Sequence, residues 1–532
     1  MNYSALSYTA LFQATLPETA LEIAALLVLV VDLGFLRKAA QKTRVAVAAF
    51  LGVIGCAAAV WAVYAAGWAG LSAGSDLLLS AGGSAAVAQI AILALTALTL
   101  LLLVDTTFTR HAGEFVAVIL MSAAGGLIIS AAQDLLVIFV GLELLSLGLY
   151  ILTAFAKQSG QSAEAAIKYY LFGGMSAAFL LFGFSYLYGL SGSTNLARVV
   201  YGVNMAAQHG GSPLLAIALV MIAAGLGFKV AAVPFHLWAP DTYEGAPAPA
   251  AAFIASVSKV ASFALLISIS YTALNYFRIL IQQFPAAGGQ SYGVAITGSV
   301  SGPQQNPLSV FAGWTLILIV LAVASMVLGN LAALAQTSVR RLLAYSAIAH
   351  AGYILLGLAY FFWGSRSAQA ILYYVLTYGL TTIGAFGVIG VVERATGSDK
   401  IDAFLGLQKR NPLLAAVLLV LFLSLAGIPP LVGFWAKFNL FSAVLGFQGG
   451  NLRMGGATPP LVLVALAIAM SAVSLYYYLQ VLKRAYVMPA IDETPIHAHP
   501  VTLAVLLLIA AAVVVLGVFP SLLQTWIASF YQ

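Results

Sequence analysis

The chain has 532 residues, of which 62% are hydrophobic and 7% charged, with a mean hydropathy of +1.03. Soluble domains carry about 25% charged residues, so a soluble fold is excluded. The net charge of +6 sits mainly in short connecting segments and gives no footprint for nucleic acid. A membrane-spanning helix needs about 20 mainly apolar residues, and fourteen such segments are predicted in chain order. They cover 18–36, 44–66, 85–104, 112–131, 134–156, 164–188, 212–240, 247–276, 309–329, 340–362, 368–393, 411–442, 458–485 and 500–522. One membrane domain, 1–532, accounts for the whole chain. The opening stretch MNYSALSYTALFQATLPETA has no basic residue before its apolar run and does not fit a cleavable signal peptide. The seventh and twelfth segments contain Pro234 and the Pro429–Pro430 pair. A proline removes a helix hydrogen bond, so both segments are predicted to break there.

Basic residues test this segmentation. Loops joining an odd-numbered segment to the next hold Arg37, Lys38, Lys42, Arg44, Arg110, Lys157, Arg340, Arg341, Arg394, Lys400, Lys409, Arg410, Lys483 and Arg484. The even loops hold only Arg198, Arg278, Arg366 and Arg453, and neither tail holds any. The positive-inside rule then places the odd loops in the cytoplasm and both termini outside.

Four lysines remain: Lys168, Lys229, Lys259 and Lys437, in the sixth, seventh, eighth and twelfth segments. Glu143 lies in the middle of the fifth. A charge at the bilayer centre costs about 2.5–3.5 kcal/mol, so four lysines cost on the order of 10 kcal/mol before pairing and hydration offset it. Lys168, near a segment end, has two readings. It either snorkels to the interface, paired with Glu164 four residues earlier, or joins the buried row. For Lys229, Lys259 and Glu143, near mid-segment, snorkelling explains little, and Lys437 lies beyond the Pro429–Pro430 break. Burial disfavours a charged lysine and a nearby carboxylate favours it, so a row of such groups has the chemistry of a proton relay.

Cys56 is the single cysteine, so no disulfide or thiolate cluster is available within the chain. The six histidines show no H-E-x-x-H spacing and no Gly-rich phosphate loop occurs, so no metal, iron–sulfur centre or nucleotide is expected on this chain. Short internal matches add a repeat: AIKYYL at 166–171 with AILYYV at 370–375, and LYIL at 149–152 with GYIL at 352–355. The offsets of 204 and 203 pair segments five and six with ten and eleven and bring Leu147, one turn after Glu143, opposite His350. A shift of five segments makes the copies inverted, with halves at 112–276 (segments 4–8) and 309–485 (segments 9–13) and the broken segments in matching places. Inverted repeats with broken helices point to an ion pathway.

The run FKVAAVPFHLWAPDTYEGAPAPAAAFIASVSKVASF at 228–263 closely resembles the antiporter-like membrane subunits of respiratory complex I, the proton-pumping NADH:quinone oxidoreductase. RRLLAYSAIAHAGY at 340–353 and GIPPLVGFWAKF at 427–438 carry the same resemblance. Within that family the subunit N branch fits best. DTYEGAPAP differs from the D-A-M-E-G-P-T-P form usual in subunits L and M. Lys259 stands where those carry histidine, and no long lateral helix follows the last segment. The resemblance implies an all-α, fourteen-helix membrane fold in a bacterial inner membrane, beside other antiporter-like membrane subunits of the complex. It implies that Glu143 modulates a central pump lysine, Lys229, with Lys259 as relay and Lys437 as the outward group. Lys168, His350 and Glu164 are further relay candidates, with Lys168 expected close to Glu143. No cofactor would be bound by this chain: NADH, flavin, iron–sulfur clusters and quinone belong to partner subunits. The same residues leave two other readings open, a Mrp-type cation/proton antiporter or membrane-bound hydrogenase subunit, and a structural membrane subunit that moves no ion.

Overall fold

The computed structural model describes residues 12–68, 78–80, 83–106, 108–208, 213–283, 308–361, 367–446, 460–490 and 493–531. The helices are α1 (Leu16–Val30), α2 (Gln41–Trp68), α3 (Ser84–Leu103), α4 (Ala112–Ala131), α5 (Leu135–Thr153), α6 (Gly160–Ser191) and α7 (Leu196–Gln208). There follow α8 (Pro213–Val230), α9 (Trp238–Gly245), α10 (Ala248–Gln283), α11 (Leu308–Leu334), α12 (Val339–Ala359) and α13 (Ser367–Thr396). The last are α14 (Leu407–Arg410), α15 (Pro412–Ala426), α16 (Val432–Leu445), α17 (Pro460–Tyr486), α18 (Pro500–Val518) and α19 (Pro520–Ser529). Among the described residues, 12 helices are long and apolar enough to cross a membrane. Two predicted segments fall outside that set. The first is α1, which ends as an α-helix at Val30 and continues as a π-helical turn, Val31–Phe35. The twelfth is divided into the shorter α15 and α16. Arg366 and Arg453, counted above for the even loops, lie outside the described residues.

α10 and α12 are buried almost throughout and form the centre, while α2, α17 and α18 keep much of their surface outward. Without a hydrophobic drive between helices in lipid, close packing needs small residues. Gly329 on α11 and Gly352 on α12 meet this need. A Cβ at either would lie 2.7 Å from a backbone nitrogen of the other helix, at Ala349 and Met326 respectively. α7, predicted as loop, is an added helix with Leu196, Val199 and Val203 buried and Arg198 and Tyr201 exposed.

Both proline-containing segments break where expected. After α8, Ala231 takes φ 59°, and Ala232 N–H turns back to the Gly227 carbonyl at 2.8 Å. Val233 N–H donates to Ser325 Oγ on α11 at 2.9 Å, and Trp238 Nε1 donates to the Phe228 carbonyl at 3.0 Å. After α15, Gly427 (φ 89°) and Ile428 donate to the Leu423 carbonyl at 3.1 and 3.0 Å. Gly433 N–H then donates to Ser424 Oγ at 3.2 Å. Backbone groups freed within a membrane must be satisfied inside the protein, and serine hydroxyls serve both breaks.

The entries to α5 and α12 are built alike. Asp134 caps α5 by accepting from Leu136 N–H at 2.9 Å, and Ser338 caps α12 by accepting from Arg341 N–H at 3.2 Å. Leu135 and Leu196 N–H groups bond to Thr194 and Gln133 carbonyls; Val339 and Ile401 N–H groups bond to Asp399 and Thr337 carbonyls. A hydroxyl–carboxylate bond closes each junction, Thr194 to Asp134 at 2.6 Å in one and Ser338 to Asp399 in the other, with the partners exchanged.

Candidate functional site

Lys229 sits in the last turn of α8, immediately before the break, and is 6% exposed. Its ammonium donates to Ser146 Oγ on α5, which in turn donates to the Leu142 carbonyl. It lies 5.5 Å from the Phe228 ring centroid. Glu143 is one turn before Ser146 on the same helix, partly exposed, and within electrostatic reach of Lys229. No salt bridge within 4.0 Å joins the two; the hydroxyl, not the carboxylate, holds the lysine.

Lys259, 2% exposed at the centre of α10, donates to the Ala347 carbonyl of α12 at 2.6 Å and lies 5.7 Å from the Tyr378 ring centroid. His350, one turn beyond Ala347, is buried and shares a 2.8 Å hydrogen bond between Nδ1 and the Tyr374 hydroxyl. His350 Nε2 is buried without a protein partner. With Tyr374, Tyr378, Thr381 and Ser424 the histidine lines a cavity of about 10 Å³, close to the room one water needs. Lys259 and Lys437 both lie within electrostatic reach of His350.

Lys437 on α16 folds back over the second break. Its Nζ donates to the Ala426 carbonyl at 2.9 Å, the Leu425 carbonyl at 3.2 Å and Ser471 Oγ on α17 at 2.7 Å. The two carbonyls end α15, so the ammonium caps the negative end of a half-helix dipole. Gly427 lies directly beneath the lysine: a Cβ there would stand 3.0 Å from Cδ and 3.2 Å from Nζ.

Lys168 belongs to a separate, partly exposed ionic cluster. It pairs with Glu164 and with Asp241, each at 2.8 Å. Asp241, on the short α9, also pairs with Arg341 at 2.7 Å, and Arg341 with Glu244 at 2.9 Å. Burial alone raises the Asp241 carboxyl, but the hydrogen bonds from Lys168 and Arg341 outweigh it and hold the group below the usual carboxylate range. Nearby, the Arg340 guanidinium is buried and donates to the Glu244 and Ala246 carbonyls at 3.0 and 2.6 Å and to Glu393 at 2.5 Å. Lys168, expected close to Glu143, has its ion pairs with Glu164 and Asp241, on α6 and α9.

Sequence reasoning brought out the four lysines, Glu143, His350 and both breaks. It missed Ser146, Asp241, Arg341, Tyr374 and Ser471. Ser146 and Asp241 had a signal, since one is three residues after Glu143 and the other lies within the PDTYEG run. Ser471, an ordinary serine in a long apolar segment, had none. Among the described residues no group of three or more His, Cys, Asp or Glu is placed to hold a metal ion.

An all-helical membrane domain with two broken helices and buried titratable groups beside the breaks defines an antiporter-like ion-translocating membrane subunit. The family model described as NADH:quinone oxidoreductase/Mrp antiporter, TM, matches residues 132–288 and 304–458. A curated relative from Acidobacterium capsulatum, NADH-quinone oxidoreductase subunit N 2, is 46% identical over 98% of this chain and 99% of its own length. A chain of respiratory complex I from Thermus thermophilus superposes with a TM-score of 0.71 at 30% identity, covering 96% of this chain and 98% of that one. A chain of an archaeal membrane-bound sulfane sulfur reductase, at 24% identity and a TM-score of 0.76, covers 98% of this chain and 96% of its own and shares the fold. The chain belongs to the NADH-quinone oxidoreductase subunit N family of bacterial multi-pass membrane proteins.

Proposed function

We propose that this chain is a proton-translocating membrane subunit of an NADH:quinone oxidoreductase, associated with other membrane subunits of that complex. NADH oxidation, flavin and cluster chemistry and quinone reduction take place in those partners, and this chain moves protons in response. The observation that carries the reading is the set of buried groups Lys259, His350 and Lys437, with both lysines within electrostatic reach of a histidine that is hydrogen-bonded to the Tyr374 hydroxyl, and with Lys229 buried at the other break. In this reading Lys229 alternates between Ser146 and the influence of Glu143, Lys259 and His350 carry the charge across the centre, and Lys437 passes it on at the end of α15. Lys168 and Glu164 act from the cluster on α6 and α9.

The halves 112–276 and 309–485 are read as inverted repeats, supported by the matching junctions at α5 and α12 and by serine-satisfied breaks in corresponding places. We place the chain in the inner membrane with fourteen crossings and both termini on the outer face, on the strength of the basic-residue asymmetry. The test is NADH-driven proton uptake by the assembled complex in proteoliposomes. Glu143→Gln is expected to lower pumping about tenfold, the factor that corresponds to about 1.4 kcal/mol of lost interaction. Normal pumping by an assembled Glu143→Gln complex would refute the relay, and sodium uptake in place of proton uptake would favour a cation antiporter.

A further inference from the structure

A second cavity, of about 130 Å³, lies away from the lysine row. It is a half-open recess lined by Phe184 and Leu187 of α6, Leu219 and Ile222 of α8, and Val199 and Val203 of α7, with parts of α5, α10 and α11. Aliphatic cavities of this order exclude water and take up apolar ligands. Its polarity is graded. The polar aliphatic lining side chains are Asn204 on α7 and Ser270 and Thr272, two residues apart on α10. Thr272 donates to Gln133 Oε1 at 3.4 Å, and the Gln133 carbonyl accepts from Leu196 N–H at the start of α7. The lining deeper in the bundle, at Phe184, Leu219 and Ile222, is wholly apolar.

α7 has the character of a helix lying in the membrane interface, with an apolar face inward and Arg198 and Tyr201 outward. Ile222 is nine residues into α8, which puts the cavity floor about 13 Å below that helix end at 1.5 Å per residue. Half of a hydrocarbon core about 30 Å thick is about 15 Å. Polar mouth, apolar shaft and one-leaflet depth together match a single aliphatic chain hung from the interface.

We propose that this cavity binds one acyl chain of a bilayer phospholipid, with its ester end level with α7 and its tail between α6 and α8. The tail then packs against the half-helix whose last turn carries Lys229. The occupant is a lipid of the surrounding membrane, since the depth and the polar rim correspond to a chain anchored at the interface.

The test uses the assembled complex reconstituted with a phospholipid bearing a diazirine midway along one acyl chain, then irradiated, digested and mapped. Cross-links are expected in residues 196–204 and 215–222 of the wild type. They should be lost in Val203→Trp, which blocks the cavity from the α7 side, while cross-links to outward residues of α18 persist. Leu219→Phe serves the same purpose if Val203→Trp does not assemble. Absence of wild-type cross-links in those two segments overturns the proposal, as does their persistence in an assembled filling variant. Displacement of the label by an isoprenoid quinone, but not by unlabelled phospholipid, also overturns it.

Discussion

Gly427→Ala probes how tightly the second break holds its lysine. Gly427 has φ 89°, a conformation that costs a residue bearing a Cβ about 1–2 kcal/mol. The new methyl would also stand 3.0 Å from Lys437 Cδ and 3.2 Å from Nζ, so the side chain must withdraw by a few tenths of an ångström. Nζ is held by contacts of 2.7, 2.9 and 3.2 Å, and such a shift carries the longest beyond hydrogen-bond range. A charge-assisted hydrogen bond contributes about 1.5–3 kcal/mol. If the loss falls on a rate-determining transfer through Lys437, about 1.4 kcal/mol gives a tenfold slower step. The assay is NADH-driven proton uptake by assembled complex in proteoliposomes, read beside NADH oxidation with a soluble electron acceptor. Pumping should fall about tenfold, while the soluble-acceptor activity of the partner subunits stays at wild type. Wild-type pumping in an assembled Gly427→Ala complex would refute the role of Lys437's seat.

Ser146→Ala removes the hydroxyl that accepts from Lys229. It should slow pumping severalfold without loss of assembly, and equal pumping would show that the hydroxyl is only a resting place. Asp241→Asn tests the ionic cluster. The Asp241 carboxyl is held below its ordinary value of about 3.9, so its contribution is complete above that pH and is lost only as pH falls through the lowered value. The variant should therefore lower the thermal stability of the assembled complex by the same margin at about pH 8 and at about pH 5. A margin that shrinks toward the acidic condition would contradict the pairing with Lys168 and Arg341.

The two helix breaks were legible because proline marks them chemically, and Lys229, Lys259 and Lys437 because a lysine in an apolar segment has a cost that function must offset. Their partners were not. Lys259 rests on the Ala347 carbonyl and Lys437 on those of Leu425 and Ala426, and a backbone acceptor leaves no trace in residue type. Lys168 shows the converse. Glu164 could be paired with it by helix spacing, whereas Asp241 is 73 positions away and meets it only because the broken segment turns α9 against α6. α7 is too short and amphipathic to read as a span, although buried Leu196, Val199 and Val203 follow helical spacing. The likeness of the junctions at Asp134 and Ser338 was not legible in the sequence, because carboxylate and hydroxyl exchange places there.

The central claim is that Lys229 carries protons at the end of α8. Proteoliposomes containing the assembled Lys229→Ala complex, compared with wild type for protons moved per NADH oxidised and for turnover, test it most directly. The account predicts fewer protons per NADH together with slower quinone-linked turnover. An unchanged proton stoichiometry at an unchanged rate would contradict it.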